Sequence, residues 1–309
     1  MNTITVSYNY PVDFLWGINP EEDTLSDMNN SLYLFKLQEK KVTALLLNIK
    51  WARCEPLKGQ FDEVYIESLR SLFARIKNRN IQPIVVLNGL EFPLWKNLDH
   101  PRKSGSEFND IAPFYEHLAE ALFPYTNYFG IYCPRQTLFN HKMIDQVIAD
   151  FQRTADIIHS LSEKSKAGLI LPDSFGQNHS SGLKQLYTKN DYHYLRNAEI
   201  DFLGLPANRN ISDQIQSLLG NFHKPLIFTS DRLRNTFTDN KSEPLADILY
   251  EIWRMYQKGW KVIGYLSETE ITSDSPDAEL YEVSCRNNAL KLSTDMSFLS
   301  EKWIRFLKD

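Results

Sequence analysis

The side chains best suited to chemistry in this chain fall at or just past the ends of short apolar runs: Asn48, Lys50, Glu91, Arg135, Gln136, Asp173, Asn208, Ser230, Asp231, Arg232, Glu268 and Glu270. Glu91, Asp173 and Glu268 are carboxylates able to serve as a base toward a bound substrate, and Arg135 or Arg232 would hold an anion beside them. Gln136 and Ser230 each donate and accept hydrogen bonds, which suits the hydroxyls of a neutral polyol. Trp16 and Trp95 offer flat faces for a sugar ring, although a tryptophan at a strand end also serves as core or wall. Several of these residues have plainer readings. Asp231 beside Arg232 and Arg53 near Glu55 read as local salt bridges. Glu268 reads as an ion pair with Arg135 or Arg232.

Other chemistries find no support. The seven histidines show no HxH or HExxH spacing, so no metal site is expected. No GxGxxG or P-loop occurs, so nucleotide binding through a glycine-rich turn is not expected, and no cofactor is implied. Ser230 lacks a GxSxG elbow, and Cys133 followed by Pro134 matches no cysteine-protease signature.

Apolar runs rich in β-branched and aromatic residues alternate with longer amphipathic stretches, which is the signature of parallel βα units. The runs VDFLWGIN, VTALLLNI, QPIVVLNG, FGIYC, AGLILP, IDFLGL, PLIFTS and KVIGYL make eight, as an eightfold barrel requires. Their continuous apolar character fits strands covered on both faces. Outer helices are expected over Val64 to Asn78, with Ile66, Leu69, Phe73 and Ile76 inward, and over Pro244 to Gln257, with Leu245, Ile248, Ile252 and Met255 inward. Asp62 is placed to cap the first, and Pro244 and Gly259 punctuate the second. Ile111 to Leu122 and Ile144 to Leu161 repeat the pattern. Asp173 to Asn197 is polar and turn-rich and reads as a shortened fifth βα unit. In such a barrel the C-terminal strand ends form the mouth, which is where the polar residues named above would converge.

Several stretches, in order, resemble the family 1 glycoside hydrolases, the β-glucosidase family. VDFLWG resembles its FLWG strand, KVTALLLNIKWARCEP its YRFSISWSRIFP, and NIQPIVVLNGLEFPLW its IEPFVTLYHWDLPQW. EIDFLGLPAN is similar to DFIGLNYY, KPLIFTSDR to PIYITENG, and GWKVIGYLSETEITSD to GYFAWSLLDN. The tail from Glu279 is similar to the closing GLYYVD...RTPKPSAYWY segment. Shared positions are framework ones: Trp51, Arg53, Pro93, Trp95, Asp201, Phe202, Gly204, Tyr265 and Trp303.

What the resemblance implies for the site is a loss. Retaining glycosidases use two carboxyl groups about 5 to 5.5 Å apart, one as acid and one as nucleophile. The family's TxNEP acid position corresponds to Gln136, preceded by Arg135 in place of Asn, and the nucleophile of ITENG corresponds to Ser230. The second-strand arginine becomes Leu46 and the YHWD histidine becomes Gly89. Pro206, Ala207 and Asn208 replace NYY, and Glu268 replaces the last-strand tryptophan. The chain is shortened relative to the family, with deletions expected in loops that wall the pocket.

Length and composition bound the rest. With 309 residues, 42% hydrophobic, the chain can bury a large core, and a single α/β domain, a (β/α)8 TIM barrel over residues 1–309, is expected. The formal charge of −5 without blocks of like charge argues against nucleic-acid or membrane partners. Three widely spaced cysteines and the lack of a secretory pattern or of an apolar run near ~18 residues suggest a soluble cytoplasmic protein. The expected function is a pseudoenzyme that binds a saccharide, with an accessory role in polysaccharide or deoxysugar metabolism. An active enzyme on a charged saccharide, with Glu268, Glu91 or Asp173 as base, and a scaffold for a protein partner are the alternatives. The expected ligand-binding residues are Glu91, Trp95, Arg135, Gln136, Asp173, Asp231 and Glu268.

Overall fold

The computed structural model describes residues 5–20, 31–88, 93–99, 107–132, 141–171, 199–207, 211–219, 222–230, 245–267 and 276–293. Ten strands are described: β1 (Thr5–Asn9), β2 (Leu15–Ile18), β3 (Ala44–Lys50), β4 (Gln82–Asn88), β5 (Tyr128–Tyr132), β6 (Lys166–Ile170), β7 (Phe202–Pro206), β8 (Leu226–Thr229), β9 (Val262–Ser267) and β10 (Ala289–Ser293). Strands β2 to β9 form a closed parallel barrel in sequence order, with β9 returning to pair with β2 through Leu15–Gly264 and Ile18–Ser267. Each of the eight apolar runs read from the sequence supplies one barrel strand.

Alternation along the strands divides the core in two. Ala44, Leu46, Ile84, Val86, Ile170, Phe202, Ile227 and Leu266 form a small buried cluster, joined by Leu15, Tyr128, Tyr132 and Ile263. Leu45, Leu47, Val85, Leu87, Phe129, Leu169, Leu203 and Phe228 belong to the larger cluster that also holds the apolar faces of the helices. The first set fills the barrel and the second seals its outside. Both faces are dry, which is why the strands read as unbroken apolar runs. Bulky inward residues fit because their neighbours are glycines: a Cβ on Gly168 would lie 2.5 Å from the Phe202 ring.

The helices are α1 (Ser31–Glu39), α2 (Trp51–Cys54), α3 (Glu63–Lys77), α4 (Leu94–Asp99), α5 (Glu107–Leu122), α6 (His141–Leu161), α7 (Ile211–Leu219), α8 (Leu245–Gln257) and α9 (Pro276–Asn287). In α3, Ile66, Leu69, Phe73 and Ile76 are buried as expected, and Asp62 caps it by accepting from the Tyr65 N–H at 2.9 Å. In α8 the buried face is rotated. Leu249 and Tyr250 join Leu245, Ile252 and Met255, whereas Ile248 is only half-buried. Aromatic packing causes the rotation, since Tyr250 and Trp253 meet Tyr8 of β1 at 5.5 and 4.8 Å. Gly259, at φ +86°, turns the chain out of α8 into β9.

The antiparallel pair β1–β10, joining the two ends of the described chain, was not expected from the sequence. Asn288 locks it to the barrel: its Nδ2 donates to the Tyr10 and Pro11 carbonyls at 3.2 and 2.8 Å, and its Oδ1 accepts from Trp16 Nε1 at 2.8 Å. Its φ of +48° is left-handed, a region asparagine tolerates better than most residues. The expected fifth unit, Asp173 to Asn197, lies outside the described residues.

At the N-terminal end of the barrel, side chains bridge neighbouring strands where the ladders begin. Thr43 Oγ1 accepts from the Trp16 N–H at 2.8 Å, Thr126 Oγ1 donates to the Pro83 carbonyl at 2.6 Å, and Asp201 Oδ2 accepts from the Ala167 N–H at 2.7 Å. The same Asp201 oxygen meets His159 Nε2 at 2.7 Å, tying α6 to the β6–β7 junction. Asp201→Ala is expected to lower stability by about 1 to 3 kcal/mol, the range for a lost bond to a charged group that strands a backbone donor. Urea unfolding measures it, and an unchanged midpoint would remove Asp201 from this role.

Candidate functional site

The mouth lies at the C-terminal ends of the barrel strands, where inward positions change from hydrocarbon to polar. On β3, Ala44 and Leu46 are buried in the barrel interior, and the next residues in phase are Asn48 and Lys50. On β4 the same step runs from Val86 to Asn88, which is 4% exposed and sits beside Lys50 in the ladder. On β8 it runs from Ile227 to the buried Thr229. The Oδ1 of Asn48 is buried and has no hydrogen-bond partner among the described residues.

Ser230 follows β8. Its N–H donates to the Leu266 carbonyl at 3.0 Å, and its Oγ lies 3.1 Å from the Tyr265 hydroxyl. Tyr265 is 1% exposed and packs edge-on against Tyr281 at 5.9 Å. The Tyr281 hydroxyl donates to the Gly17 and Tyr265 carbonyls, and burial pushes its pKa well above the usual tyrosine value. Ser230 is thus held in a hydroxyl network rooted in the wall between barrel and helices.

Glu55 organises the neighbouring rim. It is 3% exposed, and its carboxylate accepts from Trp51 Nε1 and from the Gly59 N–H, both at 2.7 Å. Its carbonyl accepts from Trp95 Nε1 at 3.0 Å, and the two indoles pack edge to face at 5.6 Å. Gly59, at φ +71°, sits at the corner of a tight turn closed by the Gln60 N–H to the Leu57 carbonyl at 2.9 Å. The turn carries Lys58 outward, with Nζ 5.5 Å from the centre of the Trp95 ring. The expected pairing of Arg53 with Glu55 gives way to this clasp: Arg53 lies over Tyr65 at 5.1 Å, while both Glu55 oxygens serve N–H donors.

Cys54, next to the clasp, is no nucleophile. Burial, helped by the Asp62 carboxylate, pushes its thiol up to about 12, so the reactive thiolate is absent at neutral pH. Trp16 is not available for stacking either. It is 1% exposed and enclosed by Tyr10, Phe14 and Tyr281. Trp95 is half-buried and packs against the larger, outer core cluster. Glu91, Arg135, Gln136, Asp173, Asp231 and Glu268 lie outside the described residues, as do Asn208, Arg232 and Glu270. Among the described residues, no three His, Cys, Asp or Glu side chains are grouped to hold a metal ion.

No protein-family model and no curated protein matches the sequence. Solved structures do match the fold. A β-glycosidase from Pyrococcus horikoshii superposes with a TM-score of 0.67 at 14% identity, over 96% of this chain and 100% of that one. A family 1 β-glucosidase from Thermotoga maritima gives 0.69 at 11% identity, over 91% and 99%. The same organism's β-glucosidase in complex with deoxynojirimycin gives 0.66 at 12%, again over 91% and 99%. The fold is that of the family 1 β-glucosidases. At these identities the likeness is one of fold.

Within this glycosidase-type barrel the framework positions have visible roles. Trp51 is part of the Glu55 clasp, Asp201 ties the base, and Gly204 leaves room for Ile170. Leu46, which the sequence resemblance sets against the family's second-strand arginine, is 4% exposed among Ile84, Val86 and Ile227. The clasp and Lys58 were missed in the sequence reading. A Trp and a Glu four residues apart, followed by Gly59, were the available signals. Glu55→Gln would set an amide N–H2 against one of the two N–H donors. It is expected to cost about 1 to 3 kcal/mol in urea unfolding and to shift tryptophan emission; unchanged stability and emission would show that the clasp does not hold the rim.

Proposed function

We propose that this chain is a saccharide-binding barrel of glycosidase type, a pseudoenzyme that does not run the retaining two-carboxylate reaction. The observation that carries the reading is the floor of the mouth. Leu46 occupies the arginine position inside a hydrocarbon cluster, and Ser230, in the nucleophile position, is bonded to a phenol. A nucleophilic carboxylate would need cationic as well as hydrogen-bonding partners, and Leu46, where the resemblance would set a cation, offers only methyl groups. The sequence supports the same reading at the acid position, where Gln136 cannot donate a proton as an acid does.

Binding is supported from the other side of the mouth. Asn48, Lys50, Asn88 and Thr229 supply amides, an ammonium group and a hydroxyl around a deep apolar floor. Trp95, its indole N–H held by the Glu55 carbonyl, is a half-buried aromatic surface in the segment after β4. Such a mix of apolar surface and a few fixed polar groups suits a sugar. Some structures of this fold carry sugar-like inhibitors, deoxynojirimycin and castanospermine among them. The barrel acts as one domain over residues 1–309, in an accessory role in polysaccharide or deoxysugar metabolism. The free, buried Cys54 and Cys285 suit a reducing compartment such as the cytoplasm. No helix among the described residues is long and apolar enough to cross a membrane.

Two assays test the proposal together. Purified protein is expected to hydrolyse aryl β-glycosides no faster than a Gln136→Ala variant, and a rate above that control would overturn the loss of catalysis. Calorimetric titration with neutral and acidic oligosaccharides is expected to show binding; titrations without heat across the set would overturn the saccharide reading.

A further inference from the structure

We propose that the N-terminal end of the barrel is a docking surface for an acidic protein partner, attracted by its lysines and met at either side by Val12 and Phe123. The inference stands apart from what the mouth binds. In a closed parallel barrel every connection leading into a strand lies at this end. Here the described residues of those connections are 11–14, 40–43, 78–81, 123–127, 162–165, 199–201, 222–225 and 258–261. They hold more Lys and Arg than Asp and Glu, whereas the whole chain holds fewer, 34 against 39. Of the carboxylates, Asp201 is held by the Ala167 N–H and His159, Glu199 lies 3.4 Å from Gln152 Nε2, and Asp13 and Glu163 remain. The cations divide into two groups. Lys40 pairs with Glu282 at 3.1 Å, Lys258 donates to Ser212 Oγ at 3.3 Å, and Arg79 donates to Gln38 Oε1 at 3.2 Å. Lys41, Lys164, Lys224 and Lys261 are exposed, and none of them has a carboxylate partner among the described residues. Offsetting the C-terminal ends of helices does not account for them, because that effect fades within the last turn. Lys164, Lys224 and Lys261 stand three to five residues beyond the ends of α6, α7 and α8.

Backbone bonds set these lysines on one arc. The Lys166 N–H donates to the Asn127 carbonyl at 2.7 Å, the Asp201 N–H to the Ala167 carbonyl at 2.8 Å, the Leu203 N–H to the Pro225 carbonyl at 2.9 Å, and the Leu226 N–H to the Lys261 carbonyl at 2.8 Å. The starts of β5 to β9 are therefore fixed side by side, and Lys164, Lys166, Lys224 and Lys261 fall along them. At about 4.8 Å per strand, the backbone from Lys166 on β6 to Lys261 before β9 spans about 14 Å, a length one acidic segment can follow. Lys166 Nζ lies 4.7 Å from the centre of the Tyr128 ring and donates to a hydroxyl, Tyr128 Oη, at 3.1 Å, so it is positioned without being neutralised. Val12 is fully exposed and precedes β2, the neighbour of β9; Phe123, 38% exposed, precedes β5, the neighbour of β6. An apolar side chain thus stands at each end of the arc. This composition fits a protein. No arginine, the residue that forks onto phosphates, stands among the cations at the starts of β6 to β9, and two single apolar residues give a bilayer little to bury. Carboxylates interspersed with apolar side chains on a partner would meet both features.

The test titrates the full chain into two fluorescent peptides of equal length and charge, one of glutamate and leucine and one of glutamate and serine, and reads anisotropy at low and at physiological salt. Vesicles of phosphatidylserine in phosphatidylcholine and a DNA duplex are run beside them. The leucine peptide is expected to bind more tightly than the serine peptide, and both less tightly as salt rises. Replacing Lys166, Lys224 and Lys261 together by Gln is expected to weaken the leucine peptide about tenfold, the size of a few exposed ion pairs. Replacing Lys58, Arg70 and Arg153 by Gln removes the same charge elsewhere and is expected to leave binding unchanged. Thermal unfolding is followed for each variant. Should the triple base variant unfold, Lys41→Gly carries the test: Lys41 takes φ +59°, where glycine is the usual occupant, so the change removes a base charge without straining the backbone. Failure of both peptides to bind, or equal losses in the two triple variants, overturns the docking surface, as does unchanged binding by a folded Lys41→Gly variant where that variant carries the test. Equal affinity for the two peptides, or tighter binding of vesicles or duplex than of the leucine peptide, overturns the protein partner and makes the base a face for a bare polyanion, a membrane or a nucleic acid. None of these outcomes bears on saccharide binding at the mouth.

Discussion

A closed ring of eight parallel strands encloses an interior of nearly fixed width, and each inward side chain must share that width with those at the same level. Here the lower levels are filled by Leu46, Ile84, Val86, Ile170, Phe202, Ile227 and Leu266, with Gly168 and Gly204 conceding space to Phe202 and Ile170. Packing of this kind leaves no room for a charged group and no water to solvate one. It fixes where the polar layer begins, at Asn48, Asn88 and Thr229. Whatever the mouth binds must rest on a hydrocarbon floor and take its polar contacts from the rim.

The two ends of the barrel are finished differently. At the base, Thr43, Thr126 and Asp201 put side-chain oxygens where the strand ladders start, and Asn288 ties the terminal strand pair to Trp16. These are short-range bonds that hold the frame whatever happens above. At the mouth, the Glu55 clasp does the corresponding work with a carboxylate and two tryptophans. It commits that carboxylate to holding Trp51 and the Gly59 turn.

Much of this was legible in the sequence, for a physical reason. Strands covered on both faces must be apolar throughout, so all eight stood out as runs, and Asp62 announced α3 because a cap needs a short acceptor at that place. Contacts between distant segments left no such mark. The pairing of β1 with β10 joins residues nearly 290 apart, and its consequence, the rotation of α8 toward Tyr8, could not be read from the helix's own periodicity. Trp16 and Trp95 looked alike in sequence and part ways in space, one sealed by Asn288 and aromatic rings, the other half-open beneath Lys58. Glu55 looked like a partner for Arg53 because neighbouring opposite charges usually pair, and burial redirected it to N–H donors.

On the proposed reading, a glycosidase-type frame around a hydrocarbon floor separates fold from reaction. The claim that no carboxylate attacks a sugar in this barrel is tested most directly by mass spectrometry of the intact protein after incubation with 2-deoxy-2-fluoro-β-glucosyl fluoride. That reagent leaves a retaining glycosidase carrying its sugar as an ester on the nucleophile. The account predicts an unchanged mass; a single added fluoroglucosyl group, mapped to any carboxylate at the mouth, would contradict it.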